Sequence, residues 1–482
     1  MYSYNDFERL FISYQAEAVP AGETLMKFYL RNKVPYNIKI HIYQIMEMKM
    51  KNNLKRNKKH VIIDFLVLLL QLGCGLSILP AFVFDIIPIP IECSICIFMI
   101  ILYNLRFGKK FEFIERYKHS WLIIIFSFFF IWEIFQGVLI FNNNFALKTL
   151  FLFFDYIFFM EYLYSMINEY HNIQIILKPY CYYAFYNWFV VLLSATLIFI
   201  GIIGASDNSL PINSLTRPNI EEFSRGNFYT FPSYLSIASD EGRILDVFNI
   251  PLLTGLSHEP HVFQYITLPA FFLFSIINNN RRIYIYLVVL VFCSLFISTS
   301  TTALTLFPIV FLIDYLWKSK SRKSIFFVFI IYIILYFIYY NFSQIIDSTL
   351  LMMTDKYSNT GGSKDYSLIA LQYFIQPKTI FGHGIHGNLG LDVLKDTIGV
   401  GLVSCILVIV FILSIFYKTF VCLVSKNPVK HYIGLASLYF FLHSLKIASL
   451  TFRYPLFAFF VFLLTIVDNT NLMNASKTYN TK

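Results

Sequence analysis

SWLIIIFSFFFIWEIFQGVLIF, residues Ser120 to Phe141, carries a single charged side chain, Glu133, in an otherwise apolar and aromatic run. About 20 such residues in a helix match the hydrocarbon thickness of a bilayer. Comparable runs recur at about 61–83, 86–105, 149–167, 182–204, 262–278, 283–299, 301–317, 325–340, 398–417, 431–446 and 454–468. Composition agrees: 57% of the 482 residues are hydrophobic and 14% charged, with 54 Phe and 34 Tyr. A soluble domain keeps about 25% charged residues, so the apolar excess has to face lipid. The pattern predicts an all-α polytopic membrane protein with about 12 transmembrane helices, one membrane domain over residues 61–468.

Charge sets the orientation. Residues 1–60 form a basic N-terminal segment ending in KMKNNLKRNKKH, Lys49 to His60, and basic residues before a first span hold that end in the cytoplasm. Met46, Met48 and Met50 suggest that translation starts just upstream of this run. With twelve spans, the loops carrying Arg106, Lys109, Lys110, Arg116 and Lys118, then Lys178, then Arg281 and Arg282, then Lys318, Lys320, Arg322 and Lys323, then Lys418, Lys426 and Lys430 are all cytoplasmic. The tail 469–482 is cytoplasmic too. Only the turn near Lys446 and Arg453 breaks the rule. The net charge of +10 therefore reads as topology signals in short clusters, not as a nucleic-acid groove. The seven cysteines lie in or beside apolar segments, so no disulfide framework is implied.

In this orientation the two long loops, about 205–261 and 341–397, both emerge outside the cytoplasm. The first gathers Arg217, Arg225, Arg243, Glu221 and Glu222 before HEPH, His258 to His261. The second gathers Lys364, Asp365 and Lys378 before FGHGIHGN, Phe381 to Asn388, with His383 and His386. Polar side chains concentrated beside a bilayer suggest a binding surface. Glu259, next to Pro260 at the membrane edge, has two readings. Partial desolvation would raise its carboxyl pKa and make it a general base. Alternatively Glu-Pro starts a helix, with the charge complementing the helix N-terminus. The glycines around His383 and His386 let the backbone approach a phosphate with free N–H groups. Neither His-x-x-His pair fits a regular helix face, so no metal is expected. Asp64, Glu133, Asp155, Glu161 and Asp314 fall inside spans and should face the bundle interior.

Many spans, two large outward loops bearing Arg, His and Glu, a Glu-Pro before one span and the stretch Pro377 to Asn388 before another resemble the Wzy-type O-antigen or capsular repeat-unit polymerases. The likeness extends more distantly to the O-antigen ligases. It covers residues 61–468 as architecture, and motifs only at Arg243 to His261 and Pro377 to Asn388. It implies a GT-C-like glycosyltransferase of the bacterial cytoplasmic (inner) membrane, with no metal or cofactor. Its substrate would be an undecaprenyl-diphosphate-linked oligosaccharide and a chain-length regulator protein a partner. Glu259 would be the base, with His258 or His261 as substitute. Arg217, Arg225, Arg243, Lys364, His383 and His386 would bind the diphosphate. Where the family often has an Arg in the second loop, this chain has Lys364, a point charge instead of a fork. A flippase of lipid-linked oligosaccharides is the alternative of another class; it would show internal repeats and midplane charges with short loops.

Overall fold

The structure, a computed structural model, describes residues 60–69, 71–72, 91–108, 111–118, 120–136, 138, 143–170, 172–202, 210–211, 228–231, 236–239, 252–257, 260–278, 280–298, 300–318, 402–444 and 455–467. The basic N-terminal run before His60, the expected span at 325–340, the second long loop, the Lys446–Arg453 turn and the tail lie outside them. The chain divides into two units, Met1–Phe65 and Leu66–Lys482. In the first, residues 60–65 are helical and Asp64 is buried.

The described residues are mostly helical. The helices are α1 (His60–Leu69), α2 (Ile91–Phe107), α3 (Phe113–Tyr117), α4 (Trp121–Gln136), α5 (Asn143–Tyr170), α6 (Gln174–Phe199), α7 (Pro260–Ile277), α8 (Arg281–Ser298), α9 (Thr301–Lys318), α10 (Leu402–Val424), α11 (Pro428–Ser444) and α12 (Pro455–Ile466). Apart from the short α3, each coincides with an expected span. By length and composition, Thr149–Tyr170 and Gln174–Phe199 are long enough and apolar enough to cross a bilayer. The shorter apolar helices run 10–17 residues.

Helix bounds depart from expectation most at the start of α6, eight residues early, and at the end of α10, seven residues late, which takes Lys418 into a helix. Helix α6 starts at Gln174, where Asn172 Oδ1 accepts the Gln174 N–H at 2.9 Å, and it runs through Pro179. Lys178 therefore lies in a helix and not in a loop. The first long loop also departs from the all-α expectation, because it contains a four-stranded antiparallel sheet. Its strands are β1 (Leu210–Pro211), β2 (Phe228–Phe231), β3 (Ser236–Ser239) and β4 (Leu252–Leu253), in the order β1-β2-β3-β4. Phe228, Tyr229, Thr230 and Phe231 are residue types that favour extended backbone, and they pair with Ser239, Ala238, Ile237 and Ser236.

Packing in the second unit joins α7 to α11 and α6, α2 to α5, and α10 to α11 and α4. Much of the core is aromatic. The Phe440 ring stacks on Phe460 at 4.4 Å and on Tyr265 at 4.5 Å, and Phe126 contacts Phe130, Tyr156, Phe411 and Phe457. Apolar side chains also cover the outside. On α4, Leu122, Ile123, Phe126, Phe129 and Phe130 are buried, whereas Trp121, Ile124, Phe128, Ile131 and Phe135 form an exposed stripe at helical spacing. Helix α10 exposes Ile406, Ile409, Val410, Leu413, Tyr417, Phe420, Val421 and Val424 in the same way. Conversely Asp155, Glu161, Asn187, Gln264, Asp314, His431 and His443 are buried.

Contacts between helix termini bring the basic ends together. Arg106, closing α2, pairs with Glu169 near the end of α5 at 2.9 Å. Gln174 Nε2 at the start of α6 donates to Ile276 O at the end of α7 at 3.0 Å. Tyr284 near the start of α8 donates to Asp314 near the end of α9 at 3.3 Å. His431 near the start of α11 lies 3.9 Å from Asp314 and 2.9 Å from the carbonyl of Leu423 in α10. Trp121, opening α4, meets Tyr417 of α10. The start of α7 and the end of α8 lie at the opposite end of the bundle, joined by Gln264 and Ser298.

Candidate functional site

His258, Glu259, Arg217, Arg225, Arg243, Lys364, His383 and His386 lie outside the described residues. His261 is present as backbone, the second residue of α7, and its side chain is likewise outside them. What is described is the framework on both sides of His258 and Glu259.

On the upstream side, β4 pairs with β3 through Leu253 with Ala238 and Leu252 with Ser239. The chain then turns at 254–257. Ser257 N donates to Thr254 O at 3.0 Å, and Thr254 Oγ1 donates to Ser257 O at 2.5 Å. Gly255 takes φ +59°, the left-handed region where a Cβ is strained. The turn rests on α6 at Asn187, whose Oδ1 accepts the Leu256 N–H at 2.8 Å while its Nδ2 donates to Tyr183 O at 2.8 Å. Contact is so close that a Cβ on Gly255 would stand 2.5 Å from Asn187 Oδ1.

On the downstream side, Pro260 is the first residue of α7. This is the helix-start geometry that one reading of Glu-Pro anticipated: proline has no N–H to leave unpaired and its φ suits a first helical position. Helix α6 holds α7 along its length. Trp188 Nε1 donates to Thr267 Oγ1 at 3.0 Å, Tyr180 OH donates to Ile266 O at 2.5 Å, and Cys181 Sγ lies 3.7 Å from Ala270 O. Helix α8 holds it from another side, since Gln264 Nε2 donates to Ser298 Oγ at 2.6 Å and to Ser294 O at 3.3 Å. Among the described residues, Gln264 Oε1 and Ser257 Oγ are buried without a hydrogen-bond partner.

The first turn of α7 has N–H groups with no intrahelical acceptor, and its dipole favours negative charge there. A carboxylate on Glu259 or an anionic ligand group fits that position. Sequence reasoning named the Glu-Pro but missed Asn187, Gly255 and Gln264. Their signals were an asparagine inside an apolar span, a Thr-Gly just before HEPH, and Gln264 with Thr267 three residues apart on one helix.

The charges expected inside spans are mostly paired within the bundle. Arg116 Nη1 pairs with the fully buried Glu161, its Nη2 lies 3.4 Å from Glu112, and its guanidinium sits 4.1 Å over the Tyr164 ring. Asp155 accepts from Gln71 Nε2 at 2.7 Å. Trp317 stacks on His431 at 3.7 Å. Glu133 lies on α4 with its side chain outside the described residues. Among the described residues no group of three or more His, Cys, Asp or Glu is arranged to hold a metal ion. Compared with family models, curated proteins and solved structures, the chain matches none of them.

Proposed function

We propose that this chain is a polytopic protein of the bacterial cytoplasmic membrane, with both termini cytoplasmic. In this reading it polymerises undecaprenyl-diphosphate-linked oligosaccharide repeat units into O-antigen or capsular polysaccharide on the outer face. The observation that carries the proposal is the inverted distribution of side chains together with the position of the first loop. Apolar stripes on α4 and α10 face outward while carboxylates, amides and histidines face inward, the arrangement expected of a bundle in lipid. Exposed Trp121, Tyr286 and Tyr417 cluster towards the basic end, as interfacial aromatics do. The first loop is anchored at the opposite end, where Glu259 precedes α7.

In the proposed reaction a sugar hydroxyl of one lipid-linked unit attacks the anomeric carbon of another. The bond from that carbon to the diphosphate oxygen breaks, and the hydroxyl proton passes to Glu259 or to His258 or His261. Arg217, Arg225 and Arg243, with Lys364, His383 and His386, stabilise the departing diphosphate. Deleting the gene and separating surface glycans on a gel tests this. Loss of the ladder with one repeat retained supports a polymerase. Accumulation of lipid-linked polymer indicates a ligase, and loss of every extracytoplasmic repeat indicates a flippase; either overturns the proposal.

A further inference from the structure

We infer that Asn187 is a positioning residue for the Glu259 site, a buried latch on α6 that fixes where the first loop enters α7. The inference rests on the polymerase reading for the meaning of the site, but the latch stands on its own geometry.

Asn187 is fully buried in the bundle. A buried amide needs both its donor and its acceptor engaged, and here they serve different masters. The Nδ2 group bonds to Tyr183 O in its own helix, which fixes the side-chain rotamer, and Oδ1 is thereby aimed at the loop to accept the Leu256 N–H. Gly255 is what allows this approach, since any Cβ there would overlap Asn187 Oδ1 at 2.5 Å and crowd Phe263 Cε2 at 3.2 Å. The next residue of α6, Trp188, bonds to Thr267 on the second turn of α7. Two consecutive residues of one helix thus clamp the chain before and after His258 and Glu259. The residues that α6 holds in this way, Leu256 and Thr267, stand before and after His258 and Glu259 in the chain. A group meant to take a proton at one point on a substrate needs this restriction, because misplacement by about 1 Å can cost about 100-fold in rate.

The test uses the full-length protein in membranes with lipid-linked repeat units, and two readouts. Hydrogen exchange at the peptide containing Leu256 reports the latch, and turnover and KM report positioning. Asn187→Ala should speed exchange there roughly two- to tenfold and lower turnover about tenfold or more at unchanged KM. Gly255→Ala, which opens the latch by overlap with Asn187 intact, should do the same and serves if Asn187→Ala fails to accumulate. Combined, the two should be less damaging than the product of their separate effects, because removing the Asn187 amide vacates the space the new methyl enters. Unchanged exchange in both single variants overturns the latch. Faster exchange with unaltered turnover overturns positioning while leaving the polymerase reading intact. A wild-type protein that polymerises nothing, with exchange still dependent on Asn187, overturns the polymerase reading and with it the positioning role.

Discussion

Replacing Gly434 with alanine should weaken the α10–α11 hairpin by about 1 kcal/mol, although alanine is the better helix former. In a helix the exchange gains about 1 kcal/mol of propensity. Against it stands the crossing with α10, where a Cβ on residue 434 would lie 3.0 Å from Cys422 Cβ, 3.0 Å from Leu423 N and 3.2 Å from Cys422 C. Two of these are backbone atoms that cannot rotate aside, so the helices must separate. Overpacking of this kind costs about 1–3 kcal/mol, here about 2. The net loss raises the locally opened population about fivefold. Cys422, 1% exposed at the contact, reports it directly. In a background where the other cysteines are replaced, a maleimide should label Cys422 about fivefold faster in Gly434→Ala than with glycine in place. Valine at 434 should accelerate labelling further. Labelling that is unchanged or slower in the alanine variant would show that the propensity gain is unopposed, and would refute the close crossing.

Glu259→Gln should abolish polymer while leaving lipid capped with a single repeat; chain lengths like those of the wild type on a glycan gel would remove Glu259 as base. Arg116→Met strands the buried Glu161 and should cost about 3–5 kcal/mol in thermal unfolding, most of which Arg116→Met with Glu161→Gln recovers. Equal losses in the single and double variants would show that the pair is not coupled. Trp188→Phe should lose about 1 kcal/mol with Thr267 present and little in a Thr267→Val background; identical losses in both would argue against the indole hydrogen bond.

Helix placement was readable from the sequence because long apolar runs admit few alternatives, and the basic clusters at Arg106, Arg282 and Lys430 marked ends that the structure brings together. Asn280 marks one such end locally: its Oδ1 accepts the Arg282 N–H at 3.0 Å and caps the next helix. The start of α6 was misplaced because Lys178 and Pro179 look like a loop, whereas the Asn172 side chain takes the Gln174 N–H further upstream and the helix runs through both. The sheet of the first loop escaped because its strands are 2 to 4 residues long, too short for periodicity to register. Asn187 escaped for another reason. Its partner Leu256 is 69 residues away, and no local pattern encodes a contact at that distance.

That separation also affects how the molecule is made. A ribosome adding about 5–20 residues per second needs about 3 to 14 s to pass from Asn187 to Leu256. Through most of that interval the α6 segment has been made while the loop amide it receives has not been synthesised. Newborn α6 therefore carries an amide whose acceptor oxygen has no final partner, and it has to borrow one from water or an earlier helix. Delivery of β4 and α7 then ends the loan. The same hydrogen bond that steadies the finished junction thus marks a late checkpoint in assembly, reached only after β4 and α7 have arrived beside α6.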